Sequence, residues 1–210
     1  SISFYAVTGC VATAGAQLLK YWEYPLSGRG QETYRVSGES NNFAHVELSA
    51  DFENTIYDWA NMPNSLNTES TDAQIFAIAT LMYHVGVAVN MTYDIMESLA
   101  IMSFHYGNYT GPTLIGALRS VFKYSNTVRY VEESQYDNEE WRALLKNELN
   151  AGRPMEYDGG SHSFICDGYD SEDRFHFNWG WRGLYDGYYA IGSLNPEYGR
   201  SYNDWCGAII

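Results

Sequence analysis

Apolar residues recur at helical intervals over residues 8–22, where Val11, Gly15, Leu18 and Trp22 share one face and alanine fills much of the remainder. The pattern predicts a buried helix capped by Thr8 and ended by Pro25 and Gly28. Residues 26–50, rich in Ser, Gly and Asn, read as loop with one short strand, and 52–61 as a second helix. A third helix is predicted over 73–85, with Thr71 as cap, Ile75, Ala79 and Met82 on one face, and Gly86 closing it before a strand at 87–91. The stretch 93–111 has no clean period and reads as a long loop carrying His105. Helices are expected at 112–124 and 138–151, the latter opened by Asp137 with Glu139 and Glu140 in its first turn and stopped by Gly152 and Pro154. Strands are then predicted at 155–157, 163–169, 174–179, 185–191 and 205–210. Helices followed by strands imply an α+β domain in two halves, with a cleft between them as the natural place for chemistry.

Charge and composition narrow the class of function. Acidic residues outnumber basic ones 26 to 12, and the net charge of −14 repels nucleic acid and anionic lipid alike. No run approaches the roughly 18 apolar residues of a membrane span, and no basic-then-apolar leader opens the chain. Charged residues are 18%, below the roughly 25% usual for soluble domains, whereas the chain carries 19 Tyr, 19 Gly and 6 Trp, so tyrosine, glycine and amide dress the surface more than lysine does. That texture is common in secreted bacterial proteins and in sugar-binding modules. The three cysteines, Cys10, Cys166 and Cys206, cannot all pair, so at least one thiol is left over. No CxxC or His-x-x-x-His spacing suggests zinc, and Asp167, Asp170 and Asp173 do not follow a calcium-loop pattern, so neither metal nor cofactor is expected.

The leftover thiol has a candidate role. Cys10 falls in the first turn of the first helix, where unsatisfied N–H groups and the positive dipole end favour a thiolate. Such a nucleophile needs an imidazole from elsewhere in the chain. His162 lies in GGSHSFICDGYD, where Gly159 and Gly160 give an open approach to the backbone. A turn over 170–173 returns the chain as RFHFNWGW, and folding about Ser171 and Glu172 brings Asn178 back toward His162, where its side chain can accept the imidazole N–H and fix the tautomer. Trp179 can roof that bond against water. Taken singly, these residues read as a core histidine, a turn asparagine and a core tryptophan. The interval from Cys10 to His162 is close to the roughly 130–150 residues of papain-like enzymes, which makes the combined reading the better one. His45, His84, His105 and His176 lack this company and read as structural.

At this point the chain resembles the streptopain family of papain-like cysteine peptidases. TGCVATAGAQLLKYWEYP is similar to its active-site block, and GGSHSFICDGYD followed by FHFNWGWRGLYDGYY to its histidine and asparagine blocks. The resemblance covers nearly all of the chain, loosely in the middle. It implies a single papain-like domain over 1–210, with a helical lobe over about 1–151, an antiparallel β-sheet lobe over about 152–210 and the active-site cleft between them. It implies Cys10 as nucleophile, His162 as general base and acid, Asn178 as orienting group and Trp179 as shield, with Gly160, Ser161 and Trp181 placed to bind substrate. Protein or peptide substrates, an inhibitory propeptide in a precursor, and a secreted, periplasmic or cell-surface location are implied as well.

Three departures qualify the resemblance. Phe4 stands where papain-like enzymes usually carry an oxyanion glutamine, and relatives have a few dozen more mature residues upstream, so either another donor serves or an N-terminal part lies outside this chain. Ser161 replaces the usual glycine before the histidine, in a loop shorter than streptopain's. The stretch 93–111, where relatives shape substrate pockets, does not match. Two other functions compete with peptidase action: acyl transfer to an amine by the same dyad, and a non-catalytic module whose Tyr and Trp stack on sugars or bind protein. Cys166 and Cys206 read as free core thiols in preference to a disulfide. Asn90-Met-Thr92 and Asn108-Tyr-Thr110 match the glycosylation pattern.

Overall fold

The computed structural model describes residues 5–36, 43, 45–103, 111–197 and 199–210. Among them the chain forms four α-helices and eight strands, all strand pairs antiparallel, in two compact units, 1–126 and 127–210. No helix of the described residues is long and apolar enough to cross a membrane.

The first unit is built on α1 (Cys10–Trp22) and α2 (Asp72–Ala88), which pack together and are followed by α3 (Leu114–Ser120). Leu19, Leu81, Val85, Leu114, Leu118 and Phe122 are buried in its core. A hairpin of β1 (Gln31–Arg35) and β2 (Glu47–Asp51) replaces the single strand expected here. Its alternation was hard to read because β1 is polar and largely exposed.

The expected helix at 52–61 is not formed. Asp51 accepts from the Asn54 backbone N–H and from its side-chain amide, and Thr55 Oγ1 donates back to the Asp51 carbonyl; this local turn competes with a helix and leaves only a 3-10 turn at Trp59–Asn61. Conversely, α2 runs through Gly86 and absorbs the strand expected at 87–91. A Cβ at residue 86 would lie 1.9 Å from the Tyr93 hydroxyl oxygen, so the glycine serves close packing and not helix termination. The helix ends instead at Ala88 with Val89 as its C-cap, followed by Asn90 at φ +50° and a Met91 N–H bond back to the Gly86 carbonyl. Thr71 caps it, as the sequence indicated, and Gln74 completes a capping box. α3 is shorter than the expected 112–124, beginning at the Thr113 cap and followed by Lys123 at φ +63°.

The second unit is a six-stranded sheet with α4 (Asn138–Asn150) against it. Its strands are β3 (Tyr130–Glu132), β4 (Met155–Gly159), β5 (His162–Tyr169), β6 (Arg174–Asn178), β7 (Gly187–Ala190) and β8 (Gly207–Ile209), in the order β3-β8-β4-β5-β6-β7. β3 was not foreseen. The helical texture of the sequence runs to about 151, but α4 belongs to this unit by its contacts: Trp141 and Leu145 are fully buried in one cluster with Tyr157, Phe164, Phe177 and Trp179. The Asp137–Glu140 capping box fixes its start. Between β5 and β6 the register shifts after Cys166, and Asp167 at the bulge pairs with His176.

Candidate active site

In the first unit Cys10 is the first helical residue of α1 and half-buried. The cap position belongs to Gly9 and not to Thr8: Gly9 has φ +88°, which suits a residue without Cβ, and no side chain caps this helix. The Gly9 carbonyl accepts from both the N–H and the hydroxyl of Thr13, at 3.1 and 2.9 Å, closing the first turn. Cys10 thus stands where backbone N–H groups have no intrahelical acceptor and where negative charge is stabilised. The other two thiols are free and buried. Burial pushes Cys166 far up, and burial first, then the Glu133 charge, pushes Cys206 up to about 12, so neither forms a thiolate near neutral pH.

In the second unit His162 opens β5, directly opposite Gly159 across a two-residue turn. Gly160 and Ser161 both have positive φ, +55° and +71°, as tight primed hairpin turns require. The glycines have a different use from the open approach expected of them. A Cβ on Gly159 would meet the Tyr202 carbonyl oxygen at 2.2 Å, and one on Gly160 the Ser201 carbonyl oxygen at 2.6 Å, while the Gly160 N–H donates to the Asp204 carbonyl. The segment 201–204 therefore occupies that side of the turn. Ser161 is exposed at the tip.

The imidazole of His162 is surrounded by aromatic rings. Trp181 stacks on it at 4.7 Å between centroids and 22°, with Phe164 and Tyr202 at 5.6 Å and Trp179 at 6.3 Å. Its Nε2 lies 2.9 Å from the Trp179 carbonyl oxygen. A carbonyl only accepts, so Nε2 carries the proton and, in the neutral ring, Nδ1 keeps the lone pair. Burial lowers the affinity of His162 for a second proton; the bond to Trp179 and the charge of Glu197 work against that, and Arg200 works with it.

Asn178, expected to hold the imidazole, ends β6, and its Oδ1 accepts the Gly180 N–H at 2.9 Å. Trp179 is fully buried against Phe164 at 4.3 Å, and its backbone N–H donates to the Asp186 carboxylate. Trp181, expected to bind substrate, is half-buried on the face of His162. Tyr202, Glu197 and Asp186 went unnoticed in the sequence. Tyr202 packs on His162 and donates to Glu197, yet nothing in its local pattern marks it.

Of the other histidines, His84 is buried against Tyr57 and His176 pairs with Asp167. His45 sits in a turn with φ +69°. Phe4, His105 and the sequon at Asn108 lie outside the described residues. Among those described, no three His, Cys, Asp or Glu side chains come together as metal ligands would.

Comparison with known proteins places these residues in context. The profile of the peptidase C10 family matches residues 3–189. Streptopain of Streptococcus pyogenes is 34% identical over 198 residues, which cover 92% of this chain and 48% of that protein. The thiol protease/hemagglutinin PrtT of Porphyromonas gingivalis is 32% identical over 196 residues, 91% of this chain and 21% of that one. The chain thus spans about half, or less, of the length of these curated relatives. Active wild-type interpain A, a cysteine protease of Prevotella intermedia, superposes with a TM-score of 0.86 at 36% identity, covering 97% of this chain and 82% of that one. A prointerpain A fragment gives a TM-score of 0.83 at 36% identity, over 98% and 63% of the two chains.

Proposed function

The chain belongs to the peptidase C10 family, and from that membership we propose that it is a cysteine endopeptidase in which Cys10 is the nucleophile and His162 the general acid and base. The observation that carries the assignment is the contrast among the three thiols. Cys166 and Cys206 are buried and held protonated, whereas Cys10 is accessible at a helix start.

The Cys10 thiolate attacks the scissile carbonyl carbon, and the charge passes to the carbonyl oxygen, for which the Cys10 backbone N–H is one donor. His162, as imidazolium, gives its Nδ1 proton to the leaving amine as the C–N bond breaks. Neutral Nδ1 then takes a proton from water, the resulting hydroxide attacks the thioester, and the acid product and thiolate are released. Through both steps Nε2–H stays on the Trp179 carbonyl, so the ring keeps its orientation while Nδ1 exchanges the proton. Trp179 excludes water from that bond, and Asn178 supports it by holding the Gly180 turn beside the Trp179 carbonyl. Gly160 backbone, Ser161 and Trp181 border the place where substrate lies.

The reading further takes 1–210 as one papain-like domain of two lobes with the cleft between them. It takes the substrates to be proteins or peptides, and the protein to act outside the cytoplasm after release from an inhibitory propeptide. Iodoacetamide should label Cys10 fastest, and Cys10→Ala should abolish casein cleavage. Preferential labelling of Cys206, with cleavage retained in Cys10→Ala, overturns the proposal.

A further inference from the structure

Residues 5–9 join no sheet, Tyr5 and Val7 are exposed, and the helix they enter has a glycine at its cap and no capping side chain. A glycine at φ +88° is the least constrained way to begin a helix, so the direction in which Cys10 is presented must be fixed from outside.

The grip comes from residues 91–99. This loop is closed on itself by a Thr92–Leu99 bridge with two backbone bonds, 2.8 and 3.1 Å. Both backbone polar groups of Val7 are bound to it. The Val7 N–H donates to the Asp94 carbonyl at 3.0 Å, and the Val7 carbonyl accepts the Ser98 hydroxyl at 2.6 Å. Ser98, 2% exposed, accepts in turn from the Asp94 N–H at 3.1 Å, so one buried hydroxyl ties the loop to itself and to the entry of α1. The same loop abuts Gly9: a Cβ there would meet the buried Met91 side chain at 2.9 Å and the Ser98 carbonyl oxygen at 3.0 Å. Val7 is therefore held at both polar atoms, Gly9 is backed on one side, and Cys10 follows.

We propose that Ser98 is a positioning residue for Cys10: through its bond to the Val7 carbonyl it fixes the Gly9 turn and hence the place of the thiol at the helix start. The inference rests on the proposed role of Cys10 and adds a residue that does not touch the reacting atoms. Losing the hydroxyl leaves a buried acceptor and a buried donor without their partner, and the entry segment gains freedom where a displacement of about 1 Å is costly to a reaction.

The test is the rate of Cys10 alkylation by iodoacetamide as a function of pH, followed by mass spectrometry, with thermal unfolding and the kcat and KM of a peptide substrate measured alongside. Ser98→Ala should slow alkylation at pH 6 about tenfold and move the profile to higher pH by about one unit, because a thiolate displaced from the helix N-terminus loses stabilisation. The kcat should fall with little change in KM. Ser98→Thr, which keeps the hydroxyl, should stay within about threefold of the parent. If Ser98→Ala does not fold, Ser98→Thr and Ser98→Val, equal in shape and different in the hydroxyl, make the same comparison. An alkylation profile in Ser98→Ala, or in Ser98→Val, identical to that of the parent overturns the proposal. Retained cleavage by Cys10→Ala would instead defeat the proposed function, and the alkylation result for Ser98 would stand apart from it.

Discussion

The imidazole Nε2–H of His162 donates to the main-chain carbonyl of Trp179 at 2.9 Å, so a backbone atom, and not only a side chain, sets the tautomer of the candidate base. A carbonyl at the end of a sheet strand is placed by the whole ladder, and no single side-chain substitution removes it.

The contribution of Asn178 should accordingly be modest. Where a side chain alone orients the histidine, its loss costs on the order of 10⁴ in rate. Asn178→Ala should lower kcat only about tenfold, through the loosened Gly180 turn, whereas His162→Ala should lower it about 10³-fold or more. Steady-state kinetics on one peptide substrate checks both, and a loss for Asn178→Ala equal to that for His162→Ala refutes the backbone role.

Glu156 should make the protein less stable as pH rises. It is fully buried on β4, both carboxylate oxygens lack hydrogen-bond partners among the described residues, and burial, then the Asp158 charge, raises its pKa well above 4.5. Between the unfolded and folded values the folded chain holds a proton on Glu156 that the unfolded chain releases, so the contribution of this group is most favourable below about pH 4.5 and is lost as pH climbs. Glu156→Gln should raise the melting temperature at pH 7 by a few degrees, about 1–3 kcal/mol, and have little effect near pH 4. Calorimetry at the two pH values reads this, and an equal effect at both contradicts it.

Gly86→Ala should destabilise by about 1–3 kcal/mol, since the new methyl meets the Tyr93 hydroxyl at 1.9 Å. Tyr93→Phe in the same chain should recover part of the loss. Urea denaturation of the two single variants and the double variant gives the coupling, and strict additivity would show that the contact is not the cause.

Trp141→Ala should cost about 3–5 kcal/mol, because the ring is fully buried in the second unit and its indole N–H donates to Tyr157. Chemical denaturation monitored by circular dichroism measures it. A cost below about 1 kcal/mol would mean that α4 is not part of that core.

Local chemistry made much of the molecule legible. α1 carries apolar periodicity, Thr71 and Asp137 cap α2 and α4, and the 170–173 turn is held by Asp170 accepting from the Glu172 and Arg174 N–H groups, all interactions within a few residues. The helix expected at 52–61 and the strand expected at 87–91 are not formed, each for a local reason. A short polar turn imitated one helical turn, and a short apolar run suits a buried helix end as well as a strand.

By itself the sequence determined the α+β class, the family blocks and the candidates Cys10, His162, Asn178 and Trp179, because spacing, caps and residue chemistry are properties of neighbouring residues. The tertiary structure alone decided that Gly9 starts α1, that Ser98 holds Val7, that residues 201–204 fill the side of the glycine turn, and that a carbonyl holds the imidazole. These are contacts between segments distant in the chain, or main-chain atoms that every residue has. Side-chain identity carries no record of either, and only the folded packing selects which of them meet.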